Sequence, residues 1–321
     1  MDALEPVEPL GIHHVTAVAA DPQRNIDFYH EVLGLRLVKT TVNFDWPETY
    51  HLYYGDEVGH PGTILTFFPW PDRPPGRRGA GQATTTAFSI PEAAVGWWEE
   101  RLASKGVAAV RPATRLDEEA LSFEDPDGLL IELVAHTGTD PRPPWESGPI
   151  AADHAIRGLH SMTMTEAGPE PTVDLLTGTL GFRLVAEEGD RLRFEVGEGG
   201  PGAQLDVVSD PGADRGEVNV GTVHHVAWRA PDDETQVAWR QQIVERGLDV
   251  TPVIDRQYFR SIYFREPGGV LLEIATDAPG FLIDEPVGDL GCHLKLPPWL
   301  EPRRDELAAA LPPLEPPSPP D

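Results

Sequence analysis

The chain repeats itself, and that duplication restricts its fold more than any other property of the sequence. GIHHVTAV (11–18) returns as GLHSMTMT (158–165), and DFYHEVLGLRLV (27–38) returns as DLLTGTLGFRLV (174–185), both 147 residues on. FEDPDGLLIELV (123–134) returns as FREPGGVLLEIA (264–275) after 141 residues, and TTTAFSIP (84–91) as HHVAWRAP (224–231) after 140. Matched blocks in the same order mark a duplicated unit that must pack against its own copy.

Each half divides again. A strand rich in β-branched residues opens it, as in IHHVTAV. An amphipathic helix follows, with Asp21 as N-cap, an apolar stripe at Ile26, Phe28, Tyr29, Val32 and Leu33, and Gly34 at the C-cap. RLVKTTVNF, TYHLYYGD and GTILTFFPW then read as returning strands. The order recurs from near residues 11, 83, 157 and 222. The expected architecture is α+β: four βαβββ modules in two tandem domains, with mixed sheets curved into a metal-holding cup. Domain limits are placed at 1–145 and 146–296, with a linker over 137–156, a Pro/Gly/Arg-rich loop over 69–82 and a Pro-rich surface tail over 297–321.

The repeat also allows one histidine to be weighed against its counterparts. One position on the first strand of the four modules holds His14, Thr85, Ser161 and His225; matched last strands carry Glu132 and Glu273. The first and fourth modules therefore assemble His14, His225 and Glu273, a two-histidine, one-carboxylate set with open positions of the kind that suits non-haem Fe(II). A carboxylate among Leu271, Leu272 and Ile274 also needs a positive partner. His160 aligns with His13 and reads as structural. Glu132 reads as the relic of a second site, or as a salt-bridged residue. His51, His60, His136 and His154 have no repeat partner and default to surface or loop roles.

Acidic residues number 53 and basic residues 25, a net charge of −28 that repels phosphate backbones and argues against a nucleic-acid partner. Cys292 is the single cysteine, so no intrachain disulfide forms. No apolar run approaches the roughly 20 residues that span a bilayer. No signal peptide is read in MDALEPVEPL, and the expected location is cytoplasmic.

GIHHVTAV, FYHEVLGLRLVKTTVNFD, TYHLYYGDEVGHPGTILTFFPW, TVHHVAW and DRQYFRSIYFREPGGVLLEIATD together resemble the vicinal-oxygen-chelate superfamily. Within it the resemblance is to ring-cleaving dioxygenases of the hydroquinone and chlorohydroquinone 1,2-dioxygenase type, and it runs from residue 11 to about 300. It implies Fe(II), with Mn(II) as the alternative ion, held by His14, His225 and Glu273. It further implies site roles for His13, Thr16, His224, Arg256 and Tyr263, although strict strand alternation turns His13 and His224 away from the metal face. The implied partners are a small aromatic substrate and O2; homodimers are common for this architecture. The implied reaction opens a hydroquinone-type ring. Trp46, Tyr50, Tyr53, Phe67, Phe68 and Trp228 are candidate pocket walls, most of them core. Three rivals share the fold: a catechol extradiol dioxygenase, against which Ser161 counts; a glyoxalase-type isomerase or lyase, which adds a second carboxylate; and a non-catalytic aromatic-binding protein.

Overall fold

A computed structural model of the chain describes residues 9–112, 115–136, 138 and 140–317. The first module contains β1 (Ile12–Ala19), α1 (Pro22–Ile26), β2 (Arg36–Asn43), β3 (Trp46–Gly55) and β4 (Ile64–Pro69). The second contains β5 (Gln82–Pro91), α2 (Val95–Ser104), β6 (Ala120–Glu124) and β7 (Leu130–His136). The third contains β8 (Gly158–Glu166), α3 (Glu170–Gly178), β9 (Arg183–Glu188), β10 (Arg191–Glu195) and β11 (Gln204–Ser209). The fourth contains β12 (Val223–Ala230), α4 (Asp233–Glu245), β13 (Ile254–Asp255), β14 (Arg260–Arg265) and β15 (Leu271–Thr276). In the second module the first returning strand shrinks to the single bridge Val110–Ser122; Pro112 follows, with no amide hydrogen to extend a ladder.

These elements form two mixed, curved sheets. One has the order β13-β14-β15-β12-β1-β4-β3-β2, the other β6-β7-β5-β8-β11-β10-β9. The first sheet thus unites modules one and four, from the two ends of the chain, and the second unites modules two and three, from its middle. Antiparallel seams join the modules, β1 to β12 and β5 to β8.

Helices anchor to the sheets by equivalent residues. Trp98 of α2 and Trp239 of α4 stand 141 residues apart and are both fully buried. Asp21 caps α1 through the amide of Arg24, and the chain continues through π-wound turns at Asp27–Val32. Ile26, Phe28, Tyr29 and Leu33 are buried from this segment. Gly34 ends it at φ 69°, in the left-handed region.

The tail is more than a surface strap. Lys295 donates its amide to the carbonyl of Thr40, and the Tyr50 hydroxyl reaches the carbonyl of Pro312. α5 (Arg304–Ala310) seats Leu307 in the core together with Leu300 and Leu311. Proline density disguised this apolar i, i+7, i+11 pattern as a surface tail. Residues 318–321 lie outside the described residues. Among the described residues no helix is long and apolar enough to cross a membrane.

Candidate metal centre

The β1–β12 seam carries two irregularities. Ile12 pairs with Trp228 and His14 with Ala227, so His13 is an extra residue on β1. Thr16 pairs with His225 and Ala17 with Val223, so His224 is an extra residue on β12. Such bulges re-aim side chains. They remove the conflict with strict alternation, because each extra histidine swings in beside its neighbour.

The result is two matched ring pairs. His13 Nδ1 lies 2.9 Å from His14 Nδ1, and His224 Nδ1 lies 2.8 Å from His225 Nδ1. Burial, reinforced by His14, lowers His13 well below the usual imidazole range; burial, reinforced by His225, lowers His224 to about 3. Both rings are therefore neutral. His13 Nε2 lies 3.2 Å from the carbonyl of Thr276, which can only accept, so Nε2 carries the hydrogen. His13 Nδ1 must then accept, His14 Nδ1 must donate, and His14 Nε2 is left as a bare lone pair. The tautomer follows from hydrogen bonding alone.

That lone pair faces Glu273. Oε2 of Glu273 lies 3.3 Å from His14 Nε2 and 2.9 Å from His225 Nε2, and all three residues are buried. Oε2 is off the line of a hydrogen bond to either ring and has no other partner. Oε1 is held separately by the Ser261 hydroxyl. Burial pushes the carboxyl up, whereas positive charge facing it from the side of His14 and His225 holds the group well below the usual carboxylate range. An anionic oxygen and imidazole nitrogens thus meet within 4.8 Å, with no hydrogen assigned between His14 and the oxygen. Such an arrangement is repulsive unless a cation lies among the three, and two imidazoles with one carboxylate suit Fe, Mn or Zn. The donor set fits a divalent metal.

A cavity of about 370 Å³ opens onto His14 and His225. Its C-terminal wall includes His224, Thr251, Arg256, Phe259 and Tyr263; its N-terminal wall includes Phe44, Asp45, His51, Tyr53 and Phe68. Tyr263 is the cross-strand partner of Glu273. Arg256 Nε donates to the Tyr263 hydroxyl at 3.1 Å while Nη1 reaches Asp45 at 2.9 Å. Burial, reinforced by Glu273, raises Tyr263, so its hydroxyl stays protonated.

Thr16 is fully buried and does not line the cavity; its hydroxyl lies 2.9 Å from that of Thr66, which lies 2.8 Å from His51 Nε2. The surface role expected for His51 is wrong: it is 9% exposed and part of the wall. Of the aromatic candidates, Tyr53 and Phe68 line the cavity. Tyr50, Phe67 and Trp228 are core, and Trp46 is exposed.

The equivalent place in the second sheet is filled differently. Glu132 is salt-bridged, to Arg115 Nη1 at 2.8 Å, and Arg115 Nη2 donates to the Ser161 hydroxyl at 2.9 Å. His160 is the extra residue of β8, as His13 is of β1, and is buried 3.5 Å from Glu118.

The glyoxalase/bleomycin resistance protein/dioxygenase profile matches residues 11–133 and again 158–274. This chain belongs to that superfamily. Among its relatives, MhqO of Bacillus subtilis, named as a ring-cleaving dioxygenase, is 45% identical over 306 residues, 95% of this chain and 97% of its own. The chlorohydroquinone/hydroquinone 1,2-dioxygenase of Sphingobium indicum is 35% identical over 309 residues, 94% of this chain and 95% of its own. A crystal structure of a superfamily member from Bacillus subtilis, named as a dioxygenase, superposes with a TM-score of 0.92 at 44% identity. It covers 97% of this chain and 99% of that one. A maize glyoxalase I mutant, at 15% identity and a TM-score of 0.64, covers 86% of this chain and 96% of its own and shares the fold alone.

Proposed function

We propose that this protein is a ring-cleaving dioxygenase that uses Fe(II), with Mn(II) as the alternative, to open a hydroquinone-type ring with O2. One observation carries the reading: three converging ligand atoms, His14 Nε2, His225 Nε2 and Glu273 Oε2, at a cavity walled by aromatic residues. The named activities of the relatives supply the substrate class. A divalent ion held by three protein groups would acidify a bound phenolic hydroxyl and couple the ring electronically to O2.

The chain's own residues do the rest. His13 fixes the tautomer of His14 and keeps its metal-facing nitrogen bare, and His224 makes the matching contact to His225. Ser261 holds one carboxylate oxygen and so orients the other. Arg256 is a permanent cation at the cavity wall, placed to stabilise negative charge that develops on the substrate. Its hydrogen bond to Tyr263 leaves the phenolic hydrogen free to be donated elsewhere, which suits Tyr263 to hand a proton to the opened product. Phe44, Phe68 and Phe259 hold a flat ring and exclude water.

The test is metal content and O2 uptake on protein reconstituted anaerobically with Fe(II) and offered hydroquinone, methylhydroquinone, chlorohydroquinone and catechol. One ion per chain and uptake with a para-hydroquinone are expected. Uptake with catechol alone would overturn the substrate class, and failure to bind metal would overturn the whole reading.

A further inference from the structure

The roles above draw on the C-terminal wall and leave the polar groups of the N-terminal wall unused. There the Tyr53 hydroxyl lies 2.8 Å from His51 Nδ1, and His51 Nε2 lies 2.8 Å from the Thr66 hydroxyl. Thr66 in turn meets Thr16. The His51 ring is clamped between Tyr53 at 4.0 Å and Phe68 at 4.4 Å, centroid to centroid. Burial, reinforced by His14 and His225, lowers His51 well below the usual imidazole range and keeps it neutral. A neutral imidazole has one donor and one acceptor nitrogen.

A phenol is a far stronger acid than an aliphatic alcohol and the better donor. Tyr53 therefore gives its hydrogen to Nδ1, and Nε2–H goes to Thr66. This spends the only hydrogen of the Tyr53 hydroxyl inside the wall. What the oxygen still offers is lone-pair density, beside a cavity that Tyr53 lines.

The second sheet provides an internal contrast. Tyr53 pairs with Thr66 across β3 and β4, and Arg193 pairs with Asp206 across β10 and β11. Thr66 pairs with Thr16 as Asp206 pairs with Thr163. The positions of Tyr53, His51 and Thr66 are thus held there by Arg193, Arg191 and Asp206. Both arginines bond to Asp206, so the charges satisfy one another. Where the sheet encloses a self-contained ion cluster the wall is charged; where it borders a cavity the wall is an uncharged relay ending in an acceptor.

We propose that the Tyr53 oxygen, oriented by His51, accepts the hydrogen of the substrate hydroxyl that is not engaged at the metal end of the cavity. Tyr53 then contacts substrate, and His51 is its positioning residue. The inference rests on the dioxygenase reading and deepens it, because it makes the second hydroxyl of the ring a recognised group.

The experiment compares hydroquinone as substrate with 4-methoxyphenol as competitive inhibitor, the same ring with that hydrogen removed. It uses Fe(II)-loaded full-length protein, with thermal denaturation and metal content confirming each variant. Tyr53→Phe is expected to raise KM for hydroquinone about tenfold, the loss of one net hydrogen bond, while Ki for 4-methoxyphenol stays within about twofold. His51→Leu is expected to follow it. His51→Asn, whose amide oxygen stands in for Nδ1, is expected to recover most of the loss. Equal shifts in KM and Ki, or no shift in either, would overturn the proposal and leave Tyr53 a shaping residue. If Tyr53→Phe does not fold, the contrast between His51→Leu and His51→Asn decides the same question. If the wild-type protein consumes no O2 with hydroquinone, the dioxygenase reading itself fails, and this inference with it.

Discussion

The two curved sheets fill the same register position in different ways. On the seam of the first, His14, His225 and Glu273 leave three bare donor atoms facing one point. On the seam of the second, the corresponding residues are Ser161, Thr85 and Glu132, and the guanidinium of Arg115 reaches Ser161 and Glu132. Arg115 stands 141 residues before Arg256, the offset that relates β6 and β7 to β14 and β15. Both arginines precede a residue in the left-handed region, Leu116 at φ 53° and Gln257 at φ 68°. One duplicated loop thus aims its arginine inward to act as the cation. The other turns it toward Asp45 and Tyr263 and leaves the three donor atoms without a side-chain cation between them. A duplicated scaffold can keep its geometry while a side-chain cation replaces the chemistry.

The largest expected effect separates the two centres outright. His14→Ala, His225→Ala or Glu273→Ala should abolish stoichiometric metal and reduce O2 uptake by at least about a hundredfold, more than the loss of an outer hydrogen-bond partner. Glu132→Gln should leave metal content and uptake at wild-type levels. Uptake lost in Glu132→Gln would show that the second centre is not merely structural. Next is Arg115→Met, which strands buried Glu132. Breaking a buried pair in this way costs about 3–5 kcal/mol, read by denaturant unfolding, with one ion per chain retained.

A third prediction concerns pH and lies where the end of β8 in the second sheet meets the turn after β14 in the first. Burial and the neighbouring Glu266, opposed by Arg215, raise Glu166 to about 8. A carboxyl raised in the folded state contributes stability that is complete below its unfolded value and is lost as pH rises through its folded value. Thermal stability should therefore decline as pH rises from about 4.5 through 8. Glu166→Gln should flatten that decline, and an unchanged profile would refute the raised carboxyl. The smallest effect belongs to Asp45→Asn at the exposed end of the Arg256 bridge. An ion pair of this kind is worth up to about 1 kcal/mol, so kcat/KM should fall less than about fivefold with metal content unchanged. A larger loss would make Asp45 essential to the placement of Arg256.

The module order and the convergence of His14, His225 and Glu273 were readable because duplication preserved register, and a histidine could be compared with Ser161 or Thr85 at its own position. His51 was hidden for the complementary reason. Its counterpart Arg191 is a different residue type on β10, where the two halves share little sequence, so the comparison had nothing to align. Arg115 lies in a stretch with equally little resemblance to 248–261, which is why Glu132 could be read as either relic or salt-bridged residue. The bulges that swing in His13 and His224 leave no mark in the residues themselves, since a one-residue register shift is a property of the pair of strands.

The seam between β1 and β12 also bears on how the protein is made. His14 and Glu273 are separated by 259 residues, and the two ligand histidines by 211. During synthesis the first ligand leaves the ribosome long before the other two exist, and no product shorter than 273 residues carries the full set. Capture of the ion therefore comes late in translation, after the β12 and β15 strands have been made.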